Sequence, residues 1–267
     1  MTLEKNPIGV FDSGLGGLTV VKALKKLLPN ESILYFGDTA RLPYGIKSKE
    51  LIIQYSSQIA NFLIKKNAKM IIIACNTATA MALEELKDNF KNIPIIGVIE
   101  PGSIQASLDS INKKIGVIGT VATINSGAYE HALKSIDRSI NVFSKDCPLF
   151  VPFVEEGMIE GEAINLIVEH YLSNFQNNVD TMILGCTHYP LLEPVIKKYV
   201  KGIKLVDSAS AVANHADKIL NDCKIKNGYK ERGSLDCFVT DLPRQFEKLG
   251  RIFLGESINE PQLVDDF

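Results

Sequence analysis

The stretch Ile73-Ala74-Cys75-Asn76-Thr77 ends one apolar run, and the similar stretch Leu184-Gly185-Cys186-Thr187-His188 ends another run 111 positions later. A second pair lies at nearly the same offset, because Ile8-Gly9-Val10-Phe11 is matched by Ile115-Gly116-Val117-Ile118, 107 positions later. Two matches at nearly equal offsets predict two similar halves. Each half would begin with a buried strand and later carry a strand that ends in a cysteine. The alternative is chance similarity between strands rich in Ile, Val and Gly.

Short apolar runs alternate with segments of helical periodicity along most of the chain. Most runs are rich in Ile and Val, which is typical of parallel strands covered on both faces. Between them, apolar residues recur at helical spacing, as in 51–63 and 164–175. The alternation predicts an α/β fold with mostly parallel sheets. The predicted strands are Ile8–Phe11, Ile33–Phe36, Met70–Ala74, Ile95–Ile99, Ile115–Ile118, Ile140–Phe143, Thr181–Leu184 and Ile203–Val206.

The end of the chain does not fit a simple division into halves. After Val206 come a helix-like run, a polar segment at 222–234, and two further candidate strands, Asp236–Thr240 and Ile252–Leu254. No linker rich in Gly, Ser or Pro separates the parts of the chain. We therefore expect two closely packed lobes, with the chain crossing between them more than once.

The composition limits the class of protein. The chain has 267 residues, 46% of them hydrophobic and 22% charged, which suits a globular protein with a substantial core. A net charge of −2 gives no electrostatic reason to expect nucleic acid as a partner. No apolar run approaches the roughly 18 residues of a membrane helix, and the first residues contain no apolar signal core. Five scattered cysteines without a CxxC pair argue against structural zinc or a disulfide framework and predict a cytoplasmic protein.

The two cysteines of the repeated stretch are predicted to lie where a parallel strand gives way to a helix. Ligands bind at this edge of open α/β sheets, and the positive end of a helix lowers the pKa of a thiol. Cys75 and Cys186 could therefore face each other across a cleft between the half-chains. The alternative for each is a small, buried, inert residue, which is the interpretation we keep for Cys147, Cys223 and Cys237.

Paired thiols suit the inversion of a stereocentre. One group must remove a proton from one face of a carbon atom, and another must deliver a proton to the opposite face. A single nucleophilic cysteine would need a histidine base, and only Cys186 has one nearby in sequence, His188. A phosphatase loop would need an arginine six residues after the cysteine, where Met81 and Leu192 stand. A redox pair stays open as an alternative.

Further polar residues follow other apolar runs, where strand ends are predicted. Asp12-Ser13 follows the first run, Asp38 the second, and Thr120 and Thr123 the run at 115–118. Glu155 follows a later apolar stretch. A carboxylate beside a thiol site can hold an ammonium group or stabilise a protonated partner. The alternatives are a helix cap for the first carboxylate, a turn for the second and a solvated surface position for the third.

The glycines of Gly14–Gly17 invite comparison with a dinucleotide-binding loop. The fingerprint requires a further glycine where this chain has Thr19, and Asp12 would bring negative charge close to the pyrophosphate. The glycines more plausibly let the backbone approach a small ligand. The loop therefore gives little support to a nucleotide cofactor.

Four motifs carry a family resemblance: Phe11–Gly17, Gly37–Gly45, Ala74–Ala78 and Gly185–Pro190. Together they closely resemble the glutamate racemases of the aspartate/glutamate racemase family, and the resemblance extends to the terminal Phe253-Leu254-Gly255. It implies a cofactor-independent isomerase that interconverts L- and D-glutamate and supplies D-glutamate for peptidoglycan. It also implies a homodimer, with glutamate as the small-molecule partner and no metal ion.

The same resemblance implies roles for individual residues. Cys75 would take the α-proton of D-glutamate, and Cys186 would take that of L-glutamate. Asp12 and His188 match auxiliary residues beside the two thiols, and Glu155 matches a third. The expected substrate contacts lie in or near the motifs: Asp12, Ser13, Asp38, Tyr44, Gly45, Asn76, Thr77, Thr120, Thr123, Thr187 and His188.

For the fold, the resemblance implies two pseudo-symmetric αβα domains with the active site in the cleft between them. The C-terminal segment would return to complete the first domain. We therefore expect one domain made of residues 1–98 plus 208–267, and a second made of residues 99–207.

Three alternatives remain open at this point. An aspartate racemase of the same family would share the cysteine pair but need a pocket shorter by one methylene, a difference worth about 1–3 kcal/mol. A non-catalytic binding protein for acidic amino acids would explain two lobes but not two thiols in matching places. A redox switch would predict reversible oxidation of Cys75 and Cys186 and no isotope exchange.

Overall fold

The computed structural model describes residues 3–241 and 246–265 and contains two β-sheets. The strands are β1 (Ile8–Asp12), β2 (Ile33–Gly37), β3 (Met70–Ile73), β4 (Ile95–Gly97), β5 (Lys114–Gly119), β6 (Asn141–Asp146), β7 (Thr181–Gly185), β8 (Lys204–Asp207), β9 (Leu235–Val239) and β10 (Gln262–Leu263). The first sheet has the order β10-β9-β2-β1-β3-β4, and the second has the order β6-β5-β7-β8. The described pairings are all parallel.

Helices connect the strands and cover the sheets. They are α1 (Leu18–Leu27), α2 (Lys49–Lys65), α3 (Asn76–Asn89), α4 (Ile99–Asp109), α5 (Val121–Asn125), α6 (Ala128–Ile136), α7 (Phe150–Glu155), α8 (Glu162–Leu172), α9 (Glu193–Tyr199), α10 (Ser208–Asp222) and α11 (Phe246–Leu254). Strands β1, β2, β3 and β7 are buried at every position. Burial on both faces explains why these strands are almost entirely apolar instead of alternating, with Asp12 and Thr181 as the polar exceptions.

The two sheets repeat one arrangement. The order β2-β1-β3-β4 in the first sheet corresponds to β6-β5-β7-β8 in the second. The strands that precede the two cysteines, β3 and β7, therefore occupy equivalent places. The predicted α/β fold of two pseudo-symmetric αβα layers with parallel sheets is confirmed.

Several helices begin at a capping side chain directly after a strand. Cys75 caps α3 by accepting a hydrogen bond from the Ala78 amide, and Thr120 caps α5 through the Thr123 amide. Asp207 caps α10 through the Ala209 amide. Because a cap must lie at the end of its helix, these side chains are held at the carboxyl edge of the sheets.

The C-terminal part of the chain returns to the first sheet. Strand β9 pairs with β2, and β10 pairs with β9. Helix α10 packs against both α1 and α4. These facts agree with the expected domain division, whose boundaries at residues 98 and 207 stay a prediction. Residues 1–2, 242–245 and 266–267 of the first predicted domain lie outside the described residues.

The predicted strand Ile95–Ile99 ends at Gly97, and Ile99 begins α4. Two further local predictions were wrong. Ile252–Leu254 was predicted as a strand, but it forms the end of α11, where Leu249 and Phe253 are buried one helical turn apart. Glu155 was predicted to follow a strand, but it is the last residue of α7. A short apolar run fits a strand and one buried helix face equally well, which explains both errors.

No described helix is long and apolar enough to cross a membrane.

Candidate active site

A cavity lies where the carboxyl ends of the two sheets meet. Both cysteines of the repeated stretch line it. The other lining residues come from both halves of the chain: Ser13, Gly14, Leu42, Pro43, Tyr44, Gly45, Asn76, Thr77, Thr120, Val151, Glu155, Thr187 and His188.

Cys75 lies at the carboxyl end of the first sheet, between β3 and α3, and is 6% exposed. Its Sγ accepts a hydrogen bond from the Ala78 amide at 3.5 Å and lies 3.7 Å from Ser13 Oγ. Burial, and then the nearby carboxylate of Asp12, raise the pKa of Cys75 to about 12. The expected lowering of this pKa by the helix N-terminus was wrong, because the Ala78 amide is outweighed by burial and a neighbouring negative charge.

Cys186 follows β7 and has different neighbours. Its Sγ lies 3.8 Å from Nδ1 of His188, and Nε2 of the same ring lies 3.2 Å from Glu155 Oε1. Burial alone would lower the pKa of His188, but its hydrogen bonds with Cys186 and Glu155 outweigh burial and raise it to about 10. The imidazole is therefore a cation at neutral pH.

Asp12 lies between the two thiol environments, at the end of β1, and is fully buried. Its carboxylate accepts a hydrogen bond from the Gly14 amide at 3.2 Å and one from Thr187 Oγ1 at 3.5 Å. Burial raises the pKa of Asp12, and the charge of His188 partly opposes this. A Cβ on Gly17 would stand 2.6 Å from Asp12 Cβ, so only glycine allows this close approach.

Three threonine hydroxyls join the two halves of the site. Oγ1 of Thr77 lies 2.9 Å from Oγ1 of Thr120 and 3.1 Å from that of Thr123, and the latter two are 2.9 Å apart. Thr77 and Thr120 line the cavity, whereas Thr123 lies behind them. The cluster fixes the start of α3 against the start of α5.

Asp38 lies outside the cavity lining and is fully buried. Its carboxylate accepts hydrogen bonds from the Tyr44 hydroxyl, from Arg41 Nε at 2.8 Å and from Thr240 Oγ1 at 3.0 Å. Tyr44, in contrast, lines the cavity. The structure therefore places Asp38 behind Tyr44 as seen from the cavity, where its carboxylate can orient the Tyr44 ring.

The structure brings together most of the residues expected at the site. Of the predicted set, Asp12, Asp38 and Thr123 support lining residues instead of lining the cavity themselves. Sequence reasoning missed Gly14, Leu42, Pro43 and Val151 as lining residues. The first three lie inside or beside the quoted motifs, whereas Val151 carries no signal because α7 was not expected. Within 3–241 and 246–265, no group of three or more His, Cys, Asp or Glu side chains is arranged to hold a metal ion.

Fold and cavity together define an α/β enzyme with a small-molecule site between two parallel sheets and a thiol from each sheet in that site. The model of the Asp/Glu/Hydantoin racemase family matches residues 8–216. The chain belongs to this family. It is an amino-acid racemase, and therefore an isomerase.

Individual relatives are similar to this chain in sequence and structure over nearly its whole length. The glutamate racemase of Aquifex aeolicus is 52% identical over 259 residues, which cover 97% of this chain and 98% of that protein. The crystal structure of Francisella tularensis glutamate racemase in complex with D-glutamate has a TM-score of 0.92 at 41% identity and covers 98% of both chains. Glutamate racemase isoform RacE1 of Bacillus anthracis has a TM-score of 0.93 at 38% identity and also covers 98% of both chains.

Proposed function

We propose that the chain interconverts L- and D-glutamate without a cofactor, by proton transfer at the α-carbon between Cys75 and Cys186. The observation that carries this proposal is that one cavity is lined by both thiols, each from the end of an equivalent strand of a different sheet. Groups from opposite sides can act on opposite faces of one carbon atom, as inversion requires. Similarity to glutamate racemases, including one with bound D-glutamate, supports glutamate as the substrate.

The protonation of the site supports a direction for each thiol. The raised pKa of Cys75 keeps its proton in place at neutral pH, so this thiol is ready to donate. We therefore assign to Cys186 the removal of the α-proton from L-glutamate, with the cationic His188 beside it to balance charge. Cys75 then delivers its proton to the opposite face, giving D-glutamate. The reverse reaction exchanges the two roles.

The substrate must also be held and its charge offset. The α-proton of an amino acid is very weakly acidic, so charge that develops on the α-carboxylate in the transition state needs stabilisation away from water. Hydroxyl groups of Ser13, Thr77 and Thr187, the amide of Asn76 and the starts of α3 and α5 face this cavity. Asp12 does not line the cavity, so it is our candidate to stabilise an ammonium group near Cys75 through its charge and not by direct contact.

Broader expectations from the sequence accompany this proposal. Supply of D-glutamate for peptidoglycan, a cytoplasmic location and a homodimer stay predictions. We propose that two domains enclose the substrate, one made of residues 1–98 plus 208–267 and the other of residues 99–207.

Solvent deuterium tests the proposal directly. The purified chain is incubated in D₂O with L-glutamate and no added cofactor, and early product and remaining substrate are separated by chiral chromatography. We expect D-glutamate that carries deuterium at the α-carbon, while the remaining L-glutamate stays protonated. A single base that serves both faces would return the original proton to the product instead.

A parallel reaction with L-aspartate identifies the substrate. We expect glutamate to react far faster. Racemisation of aspartate alone would overturn the proposed substrate, and reversible oxidation of the two thiols without isotope exchange would favour the redox alternative.

A further inference from the structure

Tyr129 occupies a central position that no motif indicated. It lies on α6, is 2% exposed, and its hydroxyl donates a hydrogen bond to Asn76 Oδ1 at 2.6 Å. The same hydroxyl lies 3.2 Å from Ser208 Oγ at the start of α10. A Cβ on Gly185 would stand 3.1 Å from the Tyr129 ring. One phenol therefore contacts the residue after Cys75 and the residue before Cys186.

In the structure, this contact turns the carbonyl end of the Asn76 amide toward the phenol. Asn76 lines the cavity, and its carbonyl oxygen is occupied by the phenol. Among the residues that the structure describes, none accepts a hydrogen bond from Asn76 Nδ2. The free end of the side chain therefore presents two N–H donors. A carboxylate can only accept hydrogen bonds, so donors are what it requires.

We propose that Tyr129 is a positioning residue that holds the Asn76 amide with its N–H groups toward a substrate carboxylate. The inference rests on the proposed function only in requiring an acidic amino acid as substrate. Without the phenol, the carbonyl oxygen of Asn76 loses this partner, and a rotated amide would direct its oxygen at the carboxylate. Burial raises the pKa of Tyr129, so the hydroxyl keeps the proton that it donates.

The hydrogen bond between Tyr129 and Asn76 also links the two halves of the chain. Tyr129 belongs to the half that carries Cys186, whereas Asn76 belongs to the half that carries Cys75. Ser208 is the first residue of α10, which packs against both α1 and α4. The Asn76 donors are therefore oriented only while the two halves are in contact at this point.

A double-mutant cycle tests this role. Tyr129→Phe keeps the ring and removes the hydroxyl, and we expect KM for glutamate to rise roughly three- to tenfold, the effect of one neutral hydrogen bond, with a smaller change in kcat. In the Asn76→Ala background, the same substitution should change KM less than twofold. Tyr171→Phe is the matched control, because that buried phenol contacts the Leu149 amide away from the cavity and its loss should leave KM unchanged.

The outcomes separate the inference from the proposed function. An equal rise in KM with and without the Asn76 side chain would show that Tyr129 acts by another route, and an unchanged KM in Tyr129→Phe would remove the role altogether. The melting temperature of each variant identifies any loss caused by unfolding. If the wild-type chain racemised only aspartate, the proposed substrate would fail, whereas the same cycle measured with aspartate would still test Tyr129.

Discussion

The surroundings of the two thiols differ far more than the strands that carry them. On the Cys75 side, the sulfur is close to a buried carboxylate, Asp12, and the pKa of the thiol is raised to about 12. On the Cys186 side, the sulfur lies 3.8 Å from a cationic imidazole that is paired with Glu155. The repeated fold therefore places two like groups in equivalent positions, while their neighbours differ in chemistry: a carboxylate beside Cys75 and an imidazole beside Cys186.

This difference cannot favour one enantiomer at equilibrium. Two enantiomers have equal free energies, so kcat/KM must be the same in both directions. The asymmetry of the site can appear only in kcat and KM taken separately, in pH dependence and in isotope exchange.

The largest effect is expected from removing either thiol. Cys75→Ser and Cys186→Ser should each lower racemisation about 10²- to 10⁴-fold, the usual contribution of a positioned proton-transfer group. The control is Cys237→Ser, which changes a buried thiol in β9 outside the cavity. Activity is followed by circular dichroism. Full activity in either of the first two variants would remove the two-thiol mechanism.

The comparison also shows what sequence can and cannot predict. The central strands β1, β2, β3 and β7 were predictable because they are almost entirely apolar, and the thiols because they follow equivalent strands. The contacts of Tyr129 with Asn76 and of Phe253 with His188 join residues far apart in the chain, so local pattern gives no sign of them. The raised pKa of Cys75 depends on how deeply the sulfur is buried, which spacing does not reveal.

The next largest effect is expected on the Cys75 side. Asp12→Asn removes a buried negative charge, and racemisation should fall about 10- to 100-fold, the range for a hydrogen bond to a charged group. The pKa of Cys75 should fall from about 12, because the carboxylate is one of the groups that raise it. Alkylation of Cys75, followed by mass spectrometry across pH, should therefore begin at lower pH.

The matched control for this variant is Asp207→Asn. Asp207 is a half-buried carboxylate that caps α10, and asparagine caps a helix equally well. It should retain wild-type activity and the wild-type alkylation profile. An Asp12→Asn variant with an unshifted alkylation profile would show that the carboxylate does not act on Cys75.

A substitution beside Cys186 should change the pH dependence of kcat. His188 holds its proton up to a pKa of about 10 because Cys186 and Glu155 outweigh burial. Glu155→Gln removes one of these two partners, so the pKa should fall and the alkaline loss of activity should begin at lower pH. The measurement is kcat for L-glutamate between pH 7 and 11. Glu156→Gln, at the exposed neighbouring carboxylate, should leave the profile unchanged, and equal profiles for both variants would contradict the role of the pair.

The smallest effect concerns how the first half of the chain supports the second thiol. Phe253 on α11 meets the His188 ring edge to face, with centroids 5.2 Å apart, a contact worth about 0.5–1.5 kcal/mol. Phe253→Leu should therefore lower kcat roughly two- to tenfold by loosening the imidazole. Phe238→Leu removes a similar edge contact, with Phe62, away from the cavity and should lower the melting temperature without this loss of kcat. Equal losses of kcat in both variants would mean that α11 contributes only general stability and does not hold the His188 ring in place.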